Sequence, residues 1–375
     1  MFGPIQNPRE VYGRTLVELG ESNPDIVVLE ADLGKSTMTC YFEQRFPKRF
    51  FEMGIGEANM TSFAAGLSLT GKIPFTNSFA VFAAGRAYDQ IRMGVCISSL
   101  NVKIAGSSAG LSDFGDGASH QTFDDVAIMR VLPHMTVLVP ADANEVRQMT
   151  RWLASSRGPA YLRVSRNDMV DVTSPDVPFE IGKPLLLRQG SDVAIFAMGS
   201  MVAESLRAAE DLQREGISAR VINVSTLKPV DEEALLALGA GVKGIVTVEE
   251  HSVIGGLGSL IAWTFRRSGL PLSCLGIADQ YGQSSKSYDE LLEHYGLTPR
   301  HIVAAASELI SKYSAASNTN QSVDASLLQM RSDFDVHRKR SAPQNRPDQV
   351  VFSLSSSGGE GWGEEAVFHG GLRGG

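Results

Sequence analysis

From residue 9 to about residue 170, short apolar runs alternate with amphipathic or small-residue stretches. The first helix is expected over "REVYGRTLVELGES", where Val11, Leu16, Val17 and Leu19 supply the apolar positions and Gly20 and Pro24 supply stop signals. The pattern then predicts a strand ("DIVVLEADL"), a buried helix ("ANMTSFAAGLSLTG"), a strand ("IPFTNSF"), a helix ("AAGRAYDQIRMGVCISSL") and two strands ("NVKIAGSS", "TVLVPAD"). A helix ("ANEVRQMTRWLASS") and a strand ("PAYLRVS") complete this half. Strands alternating with helices imply βαβ units and a parallel sheet covered on both faces. In such open sheets ligands collect outside the carboxyl ends of the strands. That edge is where the loops after "VVLEADL", "TNSF" and "IAGSS" belong.

The stretch "DVTSPDVPFEIGKP" carries three prolines and no helical period, which reads as an extended linker. A second alternation follows: "DVAIFAMGSM" (strand), "VAESLRAAEDLQREG" (helix), "SARVINVSTLKP" (strand), "DEEALLALGA" (helix), "GIVTVEEHS" (strand), "GGLGSLIAWTFRRSG" (helix), "LSCLGIAD" (strand) and a last helix near "YDELLEHYG". The expected architecture is therefore α/β, with two doubly wound three-layer α/β/α domains at 1–172 and 185–313 joined by a linker at 173–184. Residues 314–375 are rich in Ser, Asn, Gln and Gly, with no sustained period, and are expected to form a disordered tail.

Composition narrows the classes of function. The formal charge is -8, from 34 basic and 42 acidic residues, whereas nucleic-acid binders usually carry a basic excess. A small anionic substrate is compatible with this charge, because a few local arginines suffice for one phosphate. Cys40, Cys96 and Cys274 are odd in number and far apart, which suggests neither a disulfide framework nor a zinc site. A reducing, cytoplasmic setting is expected. No signal peptide is expected from "MFGPIQNPRE", and no apolar run approaches the length that spans a bilayer.

Several residues carry candidate chemistry. Glu57, in "FEMGIGEANMTSFAAG", opens a helix whose next residues are nearly all apolar or small. Either it loses hydration against that wall, which favours its neutral form and makes it a proton donor near neutral pH, or it is a first-turn carboxylate stabilised by the helix dipole. Phe79 and Phe82 are three residues apart and share a side if a helix begins there; they can clamp a flat heterocycle or simply pack a core. His120 is the only histidine in a loop dense with Gly, Ser and Asp, and is a candidate proton carrier or hydroxyl donor. His134 and His251 read as structural. Arg9 and Arg166 stand at element ends, where each either forks onto a phosphate or makes a surface ion pair.

Gly115-Asp116-Gly117, with Asn144 downstream, looks at first like the metal and diphosphate loop of thiamine diphosphate enzymes. Such a tripeptide should close an apolar strand and lead into a buried helix. Here it follows the polar "GLSDF" and precedes "ASHQ", while Asp142 or Asn144 reads as a helix N-cap. It therefore reads as a loop rather than as a metal-binding motif, and no metal ligands are expected on this chain.

Taken in order, "LEADLGKST", "FFEMGIGEANMTSFAAGLSLTG", "FAAGRAYDQIRM", "DGASHQTFDDVAIMRVLPHMTVLVPADANE", "RGPAYLRVSR" and "VEEHSVIGGLGS" resemble the C-terminal half of transketolase over about residues 5–312. That half comprises a pyrimidine-binding domain and a C-terminal domain. Deoxyxylulose-phosphate synthase and the β-subunits of 2-oxoacid dehydrogenase E1 enzymes share the architecture. The resemblance implies that Glu57 hydrogen-bonds N1′ of the thiamine diphosphate aminopyrimidine, that Phe79 and Phe82 pack around that ring, and that Asp32 lies at the cofactor. It implies that His120 contacts the reacting end of the donor and that Asp116 reads a sugar hydroxyl. Arg166, Arg9 and Ser36 would hold the phosphate at the sugar's far end. Two positions depart from the family pattern: Gly85 stands where transketolases often have tyrosine, and Ser108 where they have a further substrate histidine.

The metal side of a transketolase is not expected on this chain. The resemblance implies the C-terminal subunit of a split enzyme, whose N-terminal partner subunit holds Mg²⁺ and the diphosphate, in a dimer of heterodimers sharing the cofactor at a subunit interface. Such an enzyme transfers a two-carbon ketol unit between sugar phosphates, and the lone chain should be inactive. The alternatives are a deoxyxylulose-phosphate synthase-like or E1β-like reaction that begins with decarboxylation of a 2-oxoacid, and a non-catalytic module of the same fold. Neither a nucleic acid nor a membrane is expected as a partner.

Overall fold

The structure, a computed structural model, describes residues 2–312; the expected tail at 314–375 lies outside the described residues. The strands in chain order are β1 (Ile5–Gln6), β2 (Ile26–Glu30), β3 (Phe50–Glu52), β4 (Ile73–Phe79), β5 (Lys103–Ser107), β6 (Thr136–Leu138), β7 (Ala160–Arg163), β8 (Met169–Val170), β9 (Leu185–Arg188), β10 (Val193–Ala197), β11 (Ala219–Asn223), β12 (Thr226–Lys228), β13 (Gly244–Ser252) and β14 (Leu272–Ile277). The α-helices are α1 (Pro8–Ser22), α2 (Gly34–Thr37), α3 (Cys40–Arg45), α4 (Glu57–Leu69), α5 (Asp125–Val131), α6 (Ala143–Ser155), α7 (Met201–Arg214), α8 (Glu232–Leu238), α9 (Leu257–Thr264), α10 (Tyr288–His294) and α11 (299–312).

Two mainly parallel sheets result, a seven-stranded one ordered β12-β6-β7-β5-β4-β2-β3 and a five-stranded one ordered β14-β13-β10-β11-β9. Only β12 and β9 run antiparallel to their neighbours within them. Strands covered on both faces read as continuous apolar runs, and β2 and β10 show why. Val27 and Leu29 of β2 enter one core while Ile26 and Val28 enter another. On β10, Ala194 and Phe196 face one core and Val193, Ile195 and Ala197 the other. The first of these cores runs unbroken from beneath the seven-stranded sheet to the five-stranded one, and the three-layer α/β/α expectation holds. Among the described residues no helix is long and apolar enough to cross a membrane.

Three elements differ from expectation. The helix expected over 83–100 is wound as two wide π-helical stretches, Val81–Arg86 and Gln90–Cys96. The single strand expected over "SARVINVSTLKP" divides: β11 stays in the second sheet, whereas β12 crosses to pair with β6, Thr226 opposite Leu138. The division falls where polar groups find partners on the first domain. Asn223 donates to Glu145 Oε1 at 2.9 Å, and Val139 N–H donates to the Ser225 carbonyl at 2.8 Å. Third, a helix, α11, follows the one expected to be last.

Where the two sheets meet, Arg163 of β7 and Asp125 of α5 form a buried ion pair, with Nε donating to Oδ2 at 2.8 Å and side chains only 6% and 0% exposed. Tyr161 donates its hydroxyl to the same oxygen at 2.7 Å. Arg163 Nη2 also donates to the Glu250 carbonyl at 3.0 Å and to that of Thr122. His251 stands beside the pair at 3.9 Å from Asp125. Burial pushes its imidazole down to about 4, so at neutral pH it is an uncharged neighbour rather than an ion-pair partner. Removing one member of such a pair leaves an uncompensated buried charge. Asp125→Ala is expected to lower the unfolding free energy by ~3–5 kcal/mol, measured by urea denaturation; a loss below ~1 kcal/mol would show that water reaches Arg163.

Candidate active site

Because β3, β2, β4, β5 and β7 are parallel neighbours, the loops leaving their carboxyl ends share one edge of the sheet. Those loops carry the start of α4, Asp32, Phe82, the segment 108–121, and Arg166. Arg9 reaches the same edge from the start of α1, where Asn7 caps the helix by accepting from the Arg9 and Glu10 amides and Pro8 takes the first turn.

Glu57 is the first residue of α4 and is 3% exposed. Arg86 Nη1 donates to its two oxygens at 3.2 and 3.4 Å, supplying the partner a buried carboxylate needs. The Arg86 guanidinium also lies over the Phe82 ring, 3.9 Å from its centroid, and its side chain remains half exposed. Phe79 and Phe82 stack with centroids 6.1 Å apart and planes 18° apart. His120 meets both rings edge-on, at 6.0 and 5.4 Å, and its Nδ1 bonds Ser119 Oγ at 2.9 Å. A side chain added at Gly85 would meet nothing within 4 Å of its Cβ.

The Arg166 guanidinium also lies over Phe79, 5.7 Å from the ring centroid. Its Nη1 reaches Asp113 Oδ2 at 3.4 Å and Ser108 Oγ at 3.5 Å. Arg9 donates from Nη1 to the Ser36 carbonyl at 2.9 Å. Burial, and next the nearby Arg166 charge, push the Arg9 guanidinium below its usual value, and its Nε is buried without a hydrogen-bond partner. Two adjacent guanidiniums, one with an unpaired buried donor, suit an anion between them. Asp32 stands exposed on this edge at a left-handed φ of 60°, its amide donating to Glu52 Oε1 at 2.9 Å. Asp116 is exposed at the turn Gly117–Ser119.

Contacts through Arg86 thus join Glu57 to the group Phe79, Phe82, His120 and Arg166, with Arg9 and Ser36 near Arg166 and the exposed Asp32 and Asp116 on the same sheet edge. Of the two N-cap candidates, Asp142 caps α6 by accepting from the Glu145 amide at 2.9 Å, and Asn144 donates to the Thr173 carbonyl. The sequence reading missed Arg86, Asp113 and Glu30. Asp113 is buried, which pushes its carboxyl up against the opposing pull of Arg166. Glu30, at the end of β2, accepts from Thr37 Oγ1 (2.7 Å), Thr39 Oγ1 (2.5 Å) and the Ala31 amide (3.1 Å). It thereby ties down the loop that presents Asp32 and Ser36. A lone Glu closing an apolar strand, with two threonines soon after, is the signal that could have found it.

Comparisons with known proteins show the family of this chain. The family model of the transketolase pyrimidine-binding domain matches residues 6–170, and that of the transketolase C-terminal domain matches residues 182–302. A protein of Methanocaldococcus jannaschii described as a transketolase C-terminal section is 44% identical over 316 residues, covering 83% of this chain and 99% of the relative. The 6-deoxy-6-sulfo-D-fructose transketolase subunit of a Clostridium species is 42% identical over 305 residues, covering 81% of this chain and 94% of its own. Among solved structures, a split-gene transketolase in an inactive β4 tetramer is 47% identical with a TM-score of 0.73, covering 82% of this chain and 99% of the other. The chain belongs to the transketolase family and corresponds to the C-terminal sections of its split members.

Burial pushes the Glu30 carboxyl from 4.5 up to about 7, against the opposing hydrogen bonds of Thr39, Thr37 and the Ala31 amide. Unfolded, it ionises near pH 4.5. Between these values the folded chain holds a proton that the unfolded chain has released, so this contribution to stability is complete below about 4.5 and is lost as the pH rises to about 7. The difference in unfolding free energy between wild type and Glu30→Gln should accordingly fall over that window by on the order of 1–3 kcal/mol. Denaturant titrations across the window measure it, and a flat difference contradicts the assignment.

Proposed function

We propose that this chain is the pyrimidine-side subunit of a two-chain, thiamine diphosphate-dependent transketolase that transfers a two-carbon ketol unit between phosphorylated sugars. The observation that carries this reading is the buried Glu57 carboxylate beside the stacked Phe79–Phe82 pair, on the same sheet edge as the Arg9–Arg166 pair. The pyrimidine-binding domain is taken as 1–172 and the C-terminal domain as 185–313, joined by 173–184, in keeping with the family matches at 6–170 and 182–302. A cytoplasmic setting accords with the free Cys40, Cys96 and Cys274.

The residues fit the aminopyrimidine of the cofactor. Glu57, Phe79 and Phe82 would hold that ring, and Glu57, whose present partner Arg86 is half exposed, is free to exchange that bond for one to the ring. When bound, thiamine diphosphate supplies the electron sink for breaking a carbon–carbon bond. Glu57 holds a proton at the ring edge. His120, fixed edge-on by both phenylalanines and through Nδ1 by Ser119, directs its other nitrogen to a substrate hydroxyl. Arg166 and Arg9, with Ser36, bind the anionic far end of the sugar, and Asp116 accepts from a hydroxyl between the two. Asp32 borders the cofactor.

The diphosphate and Mg²⁺ are assigned to an N-terminal partner subunit, as in a dimer of heterodimers. The support is that the relatives above are themselves C-terminal sections or subunits. Exposed apolar side chains on and beside α4 and the π-helical stretch packed against it suit such a partner: Ile55 is 76% exposed and Leu69 74%, and Phe63, Met93 and Ile97 are exposed as well.

Combining the chain with its partner subunit, Mg²⁺ and thiamine diphosphate should create ketol transfer from a ketose phosphate, with no release of CO₂ from pyruvate. Glu57→Ala should lower kcat by about 10²–10⁴-fold; unaltered activity removes Glu57 from this role, and absence of calorimetrically detected cofactor binding in the wild-type assembly makes the chain a non-catalytic module. Arg166→Ala should reduce the preference for a phosphorylated over an unphosphorylated ketose, read as the ratio of kcat/KM values, by about 10–100-fold. An unchanged ratio places the phosphate elsewhere.

A further inference from the structure

None of the candidate site residues belongs to the second domain, yet that domain grips the loop carrying Asp116 and His120 along its length. At the loop's beginning, the Leu111 amide donates to Glu250 Oε1 at 2.5 Å. Glu250 is 3% exposed and is itself held through its other oxygen, which accepts from Ser200 Oγ at 2.6 Å and from the Tyr288 hydroxyl at 2.8 Å. In the middle, the Ser285 amide donates to the Phe114 carbonyl at 2.8 Å. At the end, Gln121 Nε2 donates to the Gln283 carbonyl at 3.1 Å and to the Asp113 carbonyl at 3.2 Å.

Two glycines show how close the approach is. Gly117 has a φ of 72°, and a Cβ there would lie 2.7 Å from the Ser284 backbone nitrogen. A Cβ on Gly282 would lie 2.8 Å from Gln121 Cδ. Free, a loop of this length with two glycines would sample many conformations, and fixing each residue costs ~1–2 kcal/mol of backbone entropy. A misplacement of about 1 Å in a reacting group can cost ~10²-fold in rate.

We propose that Glu250 and the segment Gly282–Ser285 are positioning elements, by which the second domain fixes the substrate loop so that His120 stands against Phe79 and Phe82. The inference rests on the reading of His120 as the substrate-facing residue. It gives a role to the "VEEHS" strand and the "QYGQSS" loop, and it makes the second domain part of the reaction machinery without contact with the substrate. The carboxylate of Glu250 acts through Leu111, and the 282–285 backbone acts through Phe114, Gly117 and Gln121.

The test uses the full chain with Glu250→Ala, Glu250→Gln and Gly282→Ala. In hydrogen exchange on the chain without its partner, amides of 111–121 should exchange at least about tenfold faster in Glu250→Ala and Gly282→Ala, while those of α4 keep wild-type protection. In the assembly with partner subunit, Mg²⁺ and thiamine diphosphate, both variants should lose about tenfold or more in kcat for ketol transfer, with the cofactor Kd within about twofold of wild type. Glu250→Gln, which keeps an acceptor for the Leu111 amide, should recover most of that loss. Unchanged exchange at 111–121 overturns the proposal, as does a loss of α4 protection and cofactor affinity in step with activity, which indicates a general structural role. If the wild-type assembly shows no ketol transfer, the proposed function fails, and the exchange result alone decides whether the second domain positions the loop.

Discussion

The buried Arg163–Asp125 pair is the contact on which the site depends, because it fixes at one point the elements that the site needs in register. Arg163 ends β7, three residues before Arg166. Asp125 begins α5, directly after the loop carrying Asp116 and His120, and the same guanidinium holds the Thr122 and Glu250 carbonyls. Two charges removed from water are tolerable only when paired and hydrogen-bonded. Here Asp125 Oδ2 accepts from Tyr161 and Arg163, Arg163 donates to two carbonyls as well, and only Asp125 Oδ1 is left without a hydrogen-bond partner; these bonds hold β7, α5 and β13 together. The junction between the two domains is thus specified by polar geometry, while the shared apolar core beneath it supplies most of the driving force.

The carboxylates divide into two kinds. Buried acids serve as anchors for backbone: Glu30 for the loop after β2, Glu145 for the amide of Ala141, Glu249 for the first amides of α9 at 2.6 and 2.7 Å, and Glu250 for Leu111. Burial pushes Glu30, Glu145 and Glu249 up to about 7. Asp32 and Asp116, by contrast, are exposed on the sheet edge that carries the candidate site. Glu57 lies between these classes, buried yet bound to a half-exposed guanidinium rather than to backbone. That is the condition expected of a group able to exchange one partner for another. Like charge is managed similarly: Arg9 and Arg166 stand close, with Asp113 and Asp168 partly balancing them, an arrangement relieved by a bound anion.

Much of this was legible in the sequence. Apolar runs with stop signals located β2, β4, β10, β13, α1, α4, α6 and α7, since burial on one or two faces leaves a period that needs no knowledge of distant residues. The resemblance of "FFEMGIGEANMTSFAAGLSLTG" and the later stretches to transketolase named the family that the comparisons show. It also nominated residues that the fold brings to one sheet edge. The setting of Gly115-Asp116-Gly117, polar on both sides, marked it as loop rather than as a strand-ending metal motif, and the chain there makes only the short turn Gly117–Ser119.

What the sequence by itself determined is the set of locally encoded features: the alternation that makes two doubly wound sheets, the Asn7-Pro8 helix start, and the glutamate that opens α4. Only the tertiary structure decided the rest. Arg86 lies 29 positions from Glu57, Glu250 lies 139 from Leu111, and Gln121 lies 162 from Gln283. The departure of β12 to the first sheet depends on partners near residues 138 and 145, and the wide π-helical turns from Val81 onward have no distinct period in the apolar pattern. Periodicity and capping act over a few residues, whereas hydrogen bonds across such separations depend on where the packed sheets place their strand ends. No run of neighbouring residues encodes that placement.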